Sequence, residues 1–122
     1  QAPAGLPLVE HALLCLFDHV ADQRLSIEQV VEKTAHNPAK RYAVEDRGFI
    51  REGYYADLIL VDLNQPTQVT HENCRYHCGW TPFNNYQFSS SIQKTWVNGC
   101  QVFDGHKVSD QTVPSMRLAF DR

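Results

Sequence analysis

The side chains best suited to metal chemistry lie between His71 and Cys78. This segment, His71-Glu-Asn-Cys-Arg-Tyr-His-Cys78, carries two histidines and two thiols, which zinc accepts as ligands. If the segment were helical, His71, Cys74 and Cys78 would share one face, with His77 near them. The segment has no Cys-x-x-Cys knuckle and no second half-site, so we favour packed thiols and surface histidines over a zinc centre.

Other patterns that support hydrolysis or phosphate binding do not occur in the sequence. It contains no His-x-His pair, no His-Glu-x-x-His, no Gly-x-Ser-x-Gly elbow and no Gly-x-Gly-x-x-Gly cradle. Cys15 lies in a predicted apolar helix, which should raise the pKa of its thiol. His36 lies in the predicted last turn of a helix, where the helix dipole already favours a histidine. We therefore predict structural roles for both residues and no complete active site in this chain.

The charge balance argues against several classes of partner. The net charge is −3 and acids and bases are interspersed, so no basic stripe is available for phosphates or an anionic membrane. An aromatic cluster in the second half of the chain lacks accompanying Lys or Arg. We therefore predict that it forms the core of a β unit rather than a platform for a base or sugar; its members are Trp80, Phe83, Tyr86 and Phe88. No membrane span or signal peptide is recognisable. We expect a cytoplasmic protein with reduced, packed cysteines and with neither nucleic acid nor membrane as partner.

Apolar spacing predicts a first helix over residues 8–23. Further apolar residues, including Leu14 and Cys15, extend beyond one face, and a helix that is apolar around most of its circumference is usually buried on two sides. The buried face is predicted to comprise Val9, Ala12, Leu13, Leu16, Phe17 and Val20.

A second helix is predicted over residues 27–36. Ser26 and Gln29 match a capping box, in which each side chain bonds to the backbone of the other residue at a helix start. Asn37-Pro38 should end this helix, because proline disfavours the helical conformation of the residue before it. A short helical turn through residues 39–42 is expected to follow.

After Gly48 the pattern changes from helices to strands. The continuous apolar run 58–61 predicts a strand buried on both faces, and residues 68–70 predict a short strand. Residues 94–103 predict two strands joined by Asn98-Gly99, which suits a type I′ turn, and Asp104-Gly105 predicts a further turn. The tail from Ser109 has little pattern.

Several of these stretches resemble the dihydroorotases, which are cyclic amidohydrolases. The passage that ends in Gly-x-Ile-x-x-Gly-x-x-Ala-Asp-Leu is similar to the point where amidohydrolases leave their barrel and enter a small β domain. The Gly-Trp-Thr-Pro-Phe and Lys-Thr-Trp-Val-Asn-Gly stretches resemble dihydroorotases more than allantoinases or dihydropyrimidinases. The matching segments are Ala2–Pro7, Lys33–Ala39, Gly48–Asp62, Cys78–Phe83 and Lys94–Gly99.

The resemblance implies an α+β fragment, made of the last helices of a metal-dependent hydrolase (β/α)8 barrel followed by a small β-sandwich accessory domain. Residues 1–47 would be the C-terminal end of the barrel, a loop plus two helices. Residues 48–108 would be the accessory β domain, and residues 109–122 a C-terminal tail. At 122 residues the chain is too short for a whole barrel.

The resemblance also implies an activity for a longer parent protein. Dihydroorotases interconvert dihydroorotate and N-carbamoyl-aspartate in pyrimidine biosynthesis, and they use zinc to activate a water molecule. Their zinc ligands lie in a His-x-His pair, often a carbamylated lysine, further histidines and an Asp-x-Ala-Pro-His motif, none of which this sequence matches. No catalytic or metal-binding residue is therefore carried over, and we expect the chain alone to be inactive. Its expected partners are dihydroorotate and the missing barrel portion, and the parent is compatible with a homo-oligomer.

One substrate contact is implied within this chain. The family's Ala-Pro-x-Gly loop offers backbone groups to the substrate, and it matches the region of Ala4 and Gly5. Two other interpretations of the parent stay open. It would be a catalytically inactive dihydroorotase-like subunit that scaffolds a partner, or a related cyclic amidase such as an allantoinase or dihydropyrimidinase.

Overall fold

The computed structural model describes residues 5–110 and 116–121, and its contacts divide the chain into two interleaved units. Unit 1 comprises Gln1–Leu25 and Asp62–Ser91, and unit 2 comprises Ser26–Val61 and Ile92–Arg122. The helices are α1 (Ala12–Ala21), α2 (Ile27–Val31), a π-helical turn (Glu32–His36) and α3 (Asn37–Tyr42). The strands are β1 (Leu58–Asp62), β2 (Thr67–Gln68), β3 (Gln87–Phe88), β4 (Ser91–Val97) and β5 (Cys100–Phe103).

The small α+β character expected from the sequence is confirmed. The two units are defined by contacts within this chain. The predicted boundaries at 47/48 and 108/109 concern the domains of a longer parent protein, so they stay predictions. None of the helices in the described part of the chain combines the length and the apolar composition of a transmembrane span.

In unit 1, α1 is shorter than predicted, and the face that it buries differs in part from the predicted one. The helix starts only at Ala12, because residues 8–11 form a turn in which the His11 N–H bonds to the Leu8 carbonyl at 3.1 Å. His11, Leu14 and Phe17 are buried, whereas Val9 is 88% exposed. The predicted face was therefore right at Phe17 and wrong at Val9 and Ala12, which are exposed. A helix that is apolar around most of its circumference does not reveal by spacing alone which side its partners will cover.

Those partners are aromatic side chains around β3, which pairs antiparallel with β2. Phe88 is 1% exposed, and its ring centre lies 5.1 Å from that of Phe83 and 4.8 Å from that of Tyr86. Trp80 and Tyr86 are 40% and 46% exposed. The prediction that all four aromatic residues form a β core was thus right for Phe88, right in part for the half-buried Phe83, and wrong for Trp80 and Tyr86.

In unit 2, the second helix starts as predicted and then continues through the proline. Ser26 and Gln29 form the expected capping box, with side chain to backbone distances of 3.2 and 2.9 Å. Asn37 keeps a helical conformation, and Pro38 lies in the first turn of α3, so the predicted stop at Asn37-Pro38 was wrong. The π-helical turn before Pro38 explains why the helix tolerates this proline. In the wider turn the regular i→i−4 hydrogen bonds, which a proline ring would disrupt, are already absent.

The sheet of unit 2 has the strand order β1-β4-β5. The turn between β4 and β5 is confirmed as type I′ in character, with positive φ angles of 51° at Asn98 and 79° at Gly99. The predicted burial of β1 on both faces was wrong, since Leu58, Ile59 and Leu60 are 37%, 47% and 50% exposed. Such an apolar run needs a layer on each face, and the described residues do not supply both layers.

Asp57 and Arg47 fasten the β4–β5 turn to the loop before β1. The Asp57 carboxylate accepts a hydrogen bond from the Asn98 N–H at 2.8 Å and forms an ion pair with Arg47. Arg47 also donates to the Asn98 side-chain oxygen at 2.7 Å, and its guanidinium lies 4.2 Å from the centre of the Tyr55 ring. The Ala-Asp-Leu part of the recognised motif therefore has a structural role.

Candidate functional site

The predicted substrate loop is only partly described. Ala4 lies outside the described residues. Gly5 is exposed, has a φ angle of +151°, and has no atom within 4 Å of the position that a Cβ would occupy. That φ angle is one that only glycine adopts readily, so any other residue at this position would strain the backbone.

The chain that follows Gly5 is fixed by two residues from a distant segment of the same unit. The Glu10 carboxylate accepts hydrogen bonds from the Arg75 backbone N–H at 2.8 Å and from its Nη1 at 2.6 Å. The Tyr76 hydroxyl accepts from the Glu10 N–H at 2.8 Å and lies 3.4 Å from Nδ1 of His11. Since His11 supplies no side-chain cap to α1, these contacts hold the start of the helix in place.

His11 is enclosed by aromatic rings. Its ring stacks on Phe88 at 5.8 Å between centres and meets the edges of Phe83 at 5.6 Å and Tyr76 at 5.8 Å. Burial lowers the pKa of His11, although Glu10 opposes this shift and Arg75 adds to it. Burial likewise raises the pKa of Tyr76. Both groups are therefore favoured in their neutral forms, which lets the Tyr76 hydroxyl donate to His11.

A second polar contact fixes the middle of α1. The Asp18 carboxylate accepts from the Ser89 N–H at 2.8 Å, from the Ser89 hydroxyl at 2.7 Å and from the Tyr86 hydroxyl at 2.9 Å. Burial opposes ionisation of Asp18, but these hydrogen bonds outweigh it and hold its pKa below the usual value. The same residues border an open hollow of about 450 Å³ that also includes Asp22 and Pro66.

The structure does not support a zinc centre at residues 71–78. The segment forms turns rather than a helix, so His71, Cys74 and Cys78 do not share a helical face. Nδ1 of His71 accepts from the Thr81 N–H at 3.2 Å, and the Cys74 thiol donates to the His71 carbonyl at 3.1 Å. Nowhere in residues 5–110 and 116–121 do three or more His, Cys, Asp or Glu side chains group in a way that could hold a metal ion.

The other residues considered for chemistry have structural contacts. His36 stacks on Phe49 with 4.3 Å between ring centres. The pKa of Cys15 is raised by burial and by Asp18, as predicted from its apolar helix. All four cysteines are free, but Cys78 and Cys100 are exposed, so the expectation of packed thiols was wrong for these two.

Sequence inspection missed the contacts among Glu10, His11, Arg75 and Tyr76. The two segments are separated by 65 residues, and neither carries a recognisable motif at these positions. The one available signal was the pair of polar residues Glu10 and His11, which directly precedes the apolar run 12–17 of the predicted helix. A polar pair in such a place needs partners when it is buried.

The sequence profile described as the amidohydrolase family matches residues 19–103. A dihydroorotase of Halobacterium salinarum is 38% identical over 109 residues, which are 89% of this chain and 26% of that enzyme. An N-acyl-D-aspartate deacylase of Alcaligenes xylosoxydans xylosoxydans is 38% identical over 89 residues, 72% of this chain and 16% of that protein.

A solved structure has the same fold. The L-hydantoinase (dihydropyrimidinase) from Arthrobacter aurescens matches with a TM-score of 0.82 and 28% identity, covering 88% of this chain and 24% of that one. The chain thus spans about a quarter of the length of the dihydroorotase and of the hydantoinase that it matches. The family profile covers more than half of the chain, and the identity to dihydroorotases extends over most of it. The chain therefore belongs to the amidohydrolase family and is dihydroorotase-like in sequence.

Proposed function

We propose that this chain is the C-terminal part of a dihydroorotase, a zinc-dependent hydrolase that interconverts dihydroorotate and N-carbamoyl-aspartate in pyrimidine biosynthesis. The observation that carries the proposal is the 38% identity to the Halobacterium salinarum dihydroorotase over 89% of the chain. The similarity to a deacylase named for N-acyl-D-aspartate agrees with it, because N-carbamoyl-aspartate also carries an acyl-type group on an aspartate nitrogen.

Zinc is assigned to the rest of the parent protein. The described residues do not fit a zinc ion, since His71 already accepts a hydrogen bond through Nδ1 and no ligand cluster occurs among them. The ligands are therefore proposed to lie in the barrel portion of the parent. The same proposal assigns the parent to the cytoplasm, where exposed thiols such as Cys78 and Cys100 stay reduced.

The proposed contribution of this chain to catalysis is to bind substrate through the Ala4–Gly5 loop. The exposed position of Gly5 supports this role, because backbone N–H and C=O groups can orient a polar ring such as that of dihydroorotate. Backbone groups of this kind orient a substrate and take no part in proton transfer. The loop is useful only when the rest of the parent places the reacting atoms beside it.

The test is an assay of the parent and of the 122-residue chain with dihydroorotate and N-carbamoyl-aspartate. We expect the zinc-loaded parent to interconvert the two compounds and the isolated chain to do neither. A parent that is folded and loaded with zinc but turns over neither compound would contradict the proposal. Turnover by the isolated chain would contradict the assignment of zinc to the missing portion.

A related cyclic amidase is the second candidate, and the fold match to an L-hydantoinase (dihydropyrimidinase) favours it. This activity differs from the first only in the ring that is opened. A substrate panel of dihydroorotate, dihydrouracil, a 5-substituted hydantoin and allantoin separates the candidates. The highest kcat/KM for dihydroorotate supports the first candidate, and a higher value for any other ring replaces it.

A further inference from the structure

Two distant residues, Arg75 and Tyr76, contact the chain directly before α1. Glu10 is five residues after Gly5, and its carboxylate bonds to Arg75 while its N–H bonds to the Tyr76 hydroxyl. These contacts join residues that are 65 and 66 apart in the sequence. Such long-range bonds fix a chain segment in space, which a local turn alone does not.

We propose that Glu10, Arg75 and Tyr76 are positioning residues that set the place of the Gly5 backbone for the substrate. This inference rests on the proposed function, because it assumes that the loop contacts substrate. Arg75 holds the side-chain carboxylate of Glu10, and the Tyr76 hydroxyl holds the backbone N–H of Glu10. Both the side chain and the main chain of Glu10 are therefore held in place.

The geometry favours a positioning role over an incidental surface pair. The Glu10 side chain is only 18% exposed, and it receives two bonds from one arginine, at 2.6 and 2.8 Å. Isolated pairs between exposed side chains contribute little, whereas short bonds to a shielded carboxylate hold a defined geometry. Only four residues separate Gly5 from Glu10, and Pro7 among them has a fixed φ angle, so the position of Glu10 limits where the Gly5 backbone can lie.

The contact at Asp18 provides a matched control. Ser89 donates both its N–H and its hydroxyl to Asp18, also across a long stretch of sequence and also onto α1. Asp18 lies in the middle of the helix, away from the loop. A variant at Ser89 therefore weakens the attachment of α1 without acting on the residues next to Gly5.

The experiment measures kcat and KM of the parent enzyme carrying Glu10→Gln, Arg75→Met, Tyr76→Phe or Ser89→Ala, with Arg75→Lys as the conservative variant. We expect the first three to raise KM roughly tenfold with a small change in kcat, because a displaced backbone contact weakens binding without altering the reacting groups. Arg75→Lys should restore part of the affinity. Ser89→Ala should lower the thermal midpoint but leave KM unchanged.

The Glu10→Gln and Arg75→Met double variant tests whether the two residues act as one unit. Its KM should equal that of either single variant rather than the product of the two effects. Folded variants with unchanged KM would overturn the proposal, and so would a KM increase of equal size in Ser89→Ala. If the unmodified parent prefers another cyclic amide, the proposed substrate is wrong, and the same KM comparison with that amide still decides the positioning role.

Discussion

At the scale of single residues, His11 has the environment that most changes its chemistry. It is 4% exposed, stacks on Phe88 and faces the Tyr76 hydroxyl, with Glu10 and Arg75 as its charged neighbours. A protonated imidazole in this place would lose solvation, and Nδ1 could no longer accept from Tyr76. The folded unit therefore favours neutral His11.

The first prediction follows from the lowered pKa of His11. Below pH 6.5 the unfolded chain takes up a proton that folded His11 resists, so the free energy of unfolding should fall as the pH drops from 6.5 towards the folded pKa. Above pH 6.5 this contribution should be constant. Denaturant unfolding followed by tryptophan fluorescence at several pH values measures it.

The control for this prediction is His11→Asn, which keeps an acceptor near the position of Nδ1 but does not titrate. The variant should show a flatter pH dependence below pH 6.5 than the original protein. Equal slopes in both proteins would assign the acid sensitivity to other groups.

At the scale of elements, Gly48 determines how closely the loop before β1 approaches the π-helical turn and α3. A Cβ at this position would be 2.4 Å from the Ala39 Cβ and 2.8 Å from the Ala35 carbonyl oxygen, and the φ angle is +78°. The helix and the loop approach so closely that only a hydrogen atom fits between them. Gly53 has a similar φ angle of +84° but has no atom within 4 Å of its Cβ position.

The second prediction compares these two glycines. Gly53→Ala should cost about 1–2 kcal/mol, because only the unfavourable φ angle opposes the new methyl group. Gly48→Ala should cost roughly 3 kcal/mol or more, because a steric clash adds to the same backbone strain. Chemical denaturation gives both values. Equal losses would mean that the close approach at Gly48 adds no cost of its own.

Several elements could be predicted because their signals are local. The Ser26–Gln29 capping box and the Asn98-Gly99 turn depend on a few neighbouring residues, and both were found. The buried face of α1 and the continuation through Pro38 could not be predicted in this way. The first depends on Phe88 and its neighbours, and the second on a π-helical turn that no propensity scale registers.

At the scale of the whole molecule, the apolar surface is the main departure from the sequence expectation. Val9 and Ile50 are 88% and 89% exposed, and β1 presents Leu58, Ile59 and Leu60 as well. The apolar composition of β1 is typical of a buried strand, but burial requires packing partners that the described residues do not provide. Within the candidate site the sequence predicted only a role for Gly5, which stays a prediction, and it did not predict the Glu10–Arg75 pair, which depends on the tertiary fold.

The third prediction is that the isolated chain self-associates or binds a hydrophobic dye. Exposed apolar strands and helix faces favour both, because each removes apolar surface from water. Light scattering and dye fluorescence measure the two effects, with the parent protein as control. A monodisperse monomer without dye binding would argue against a larger parent that covers these surfaces.

The π-helical turn at Glu32–His36 has a consequence for how this protein tolerates changes in length. Such a turn holds one more residue than a regular helical turn but makes about the same rotation. Deleting a single residue there should therefore restore ordinary pitch and leave Ala39 facing Gly48, whereas a deletion within a regular α-helical turn rotates the following helix by about 100°. Homologous sequences that retain the glycine should therefore tolerate the loss of one residue within Glu32–His36 better than a loss within Asn37–Tyr42.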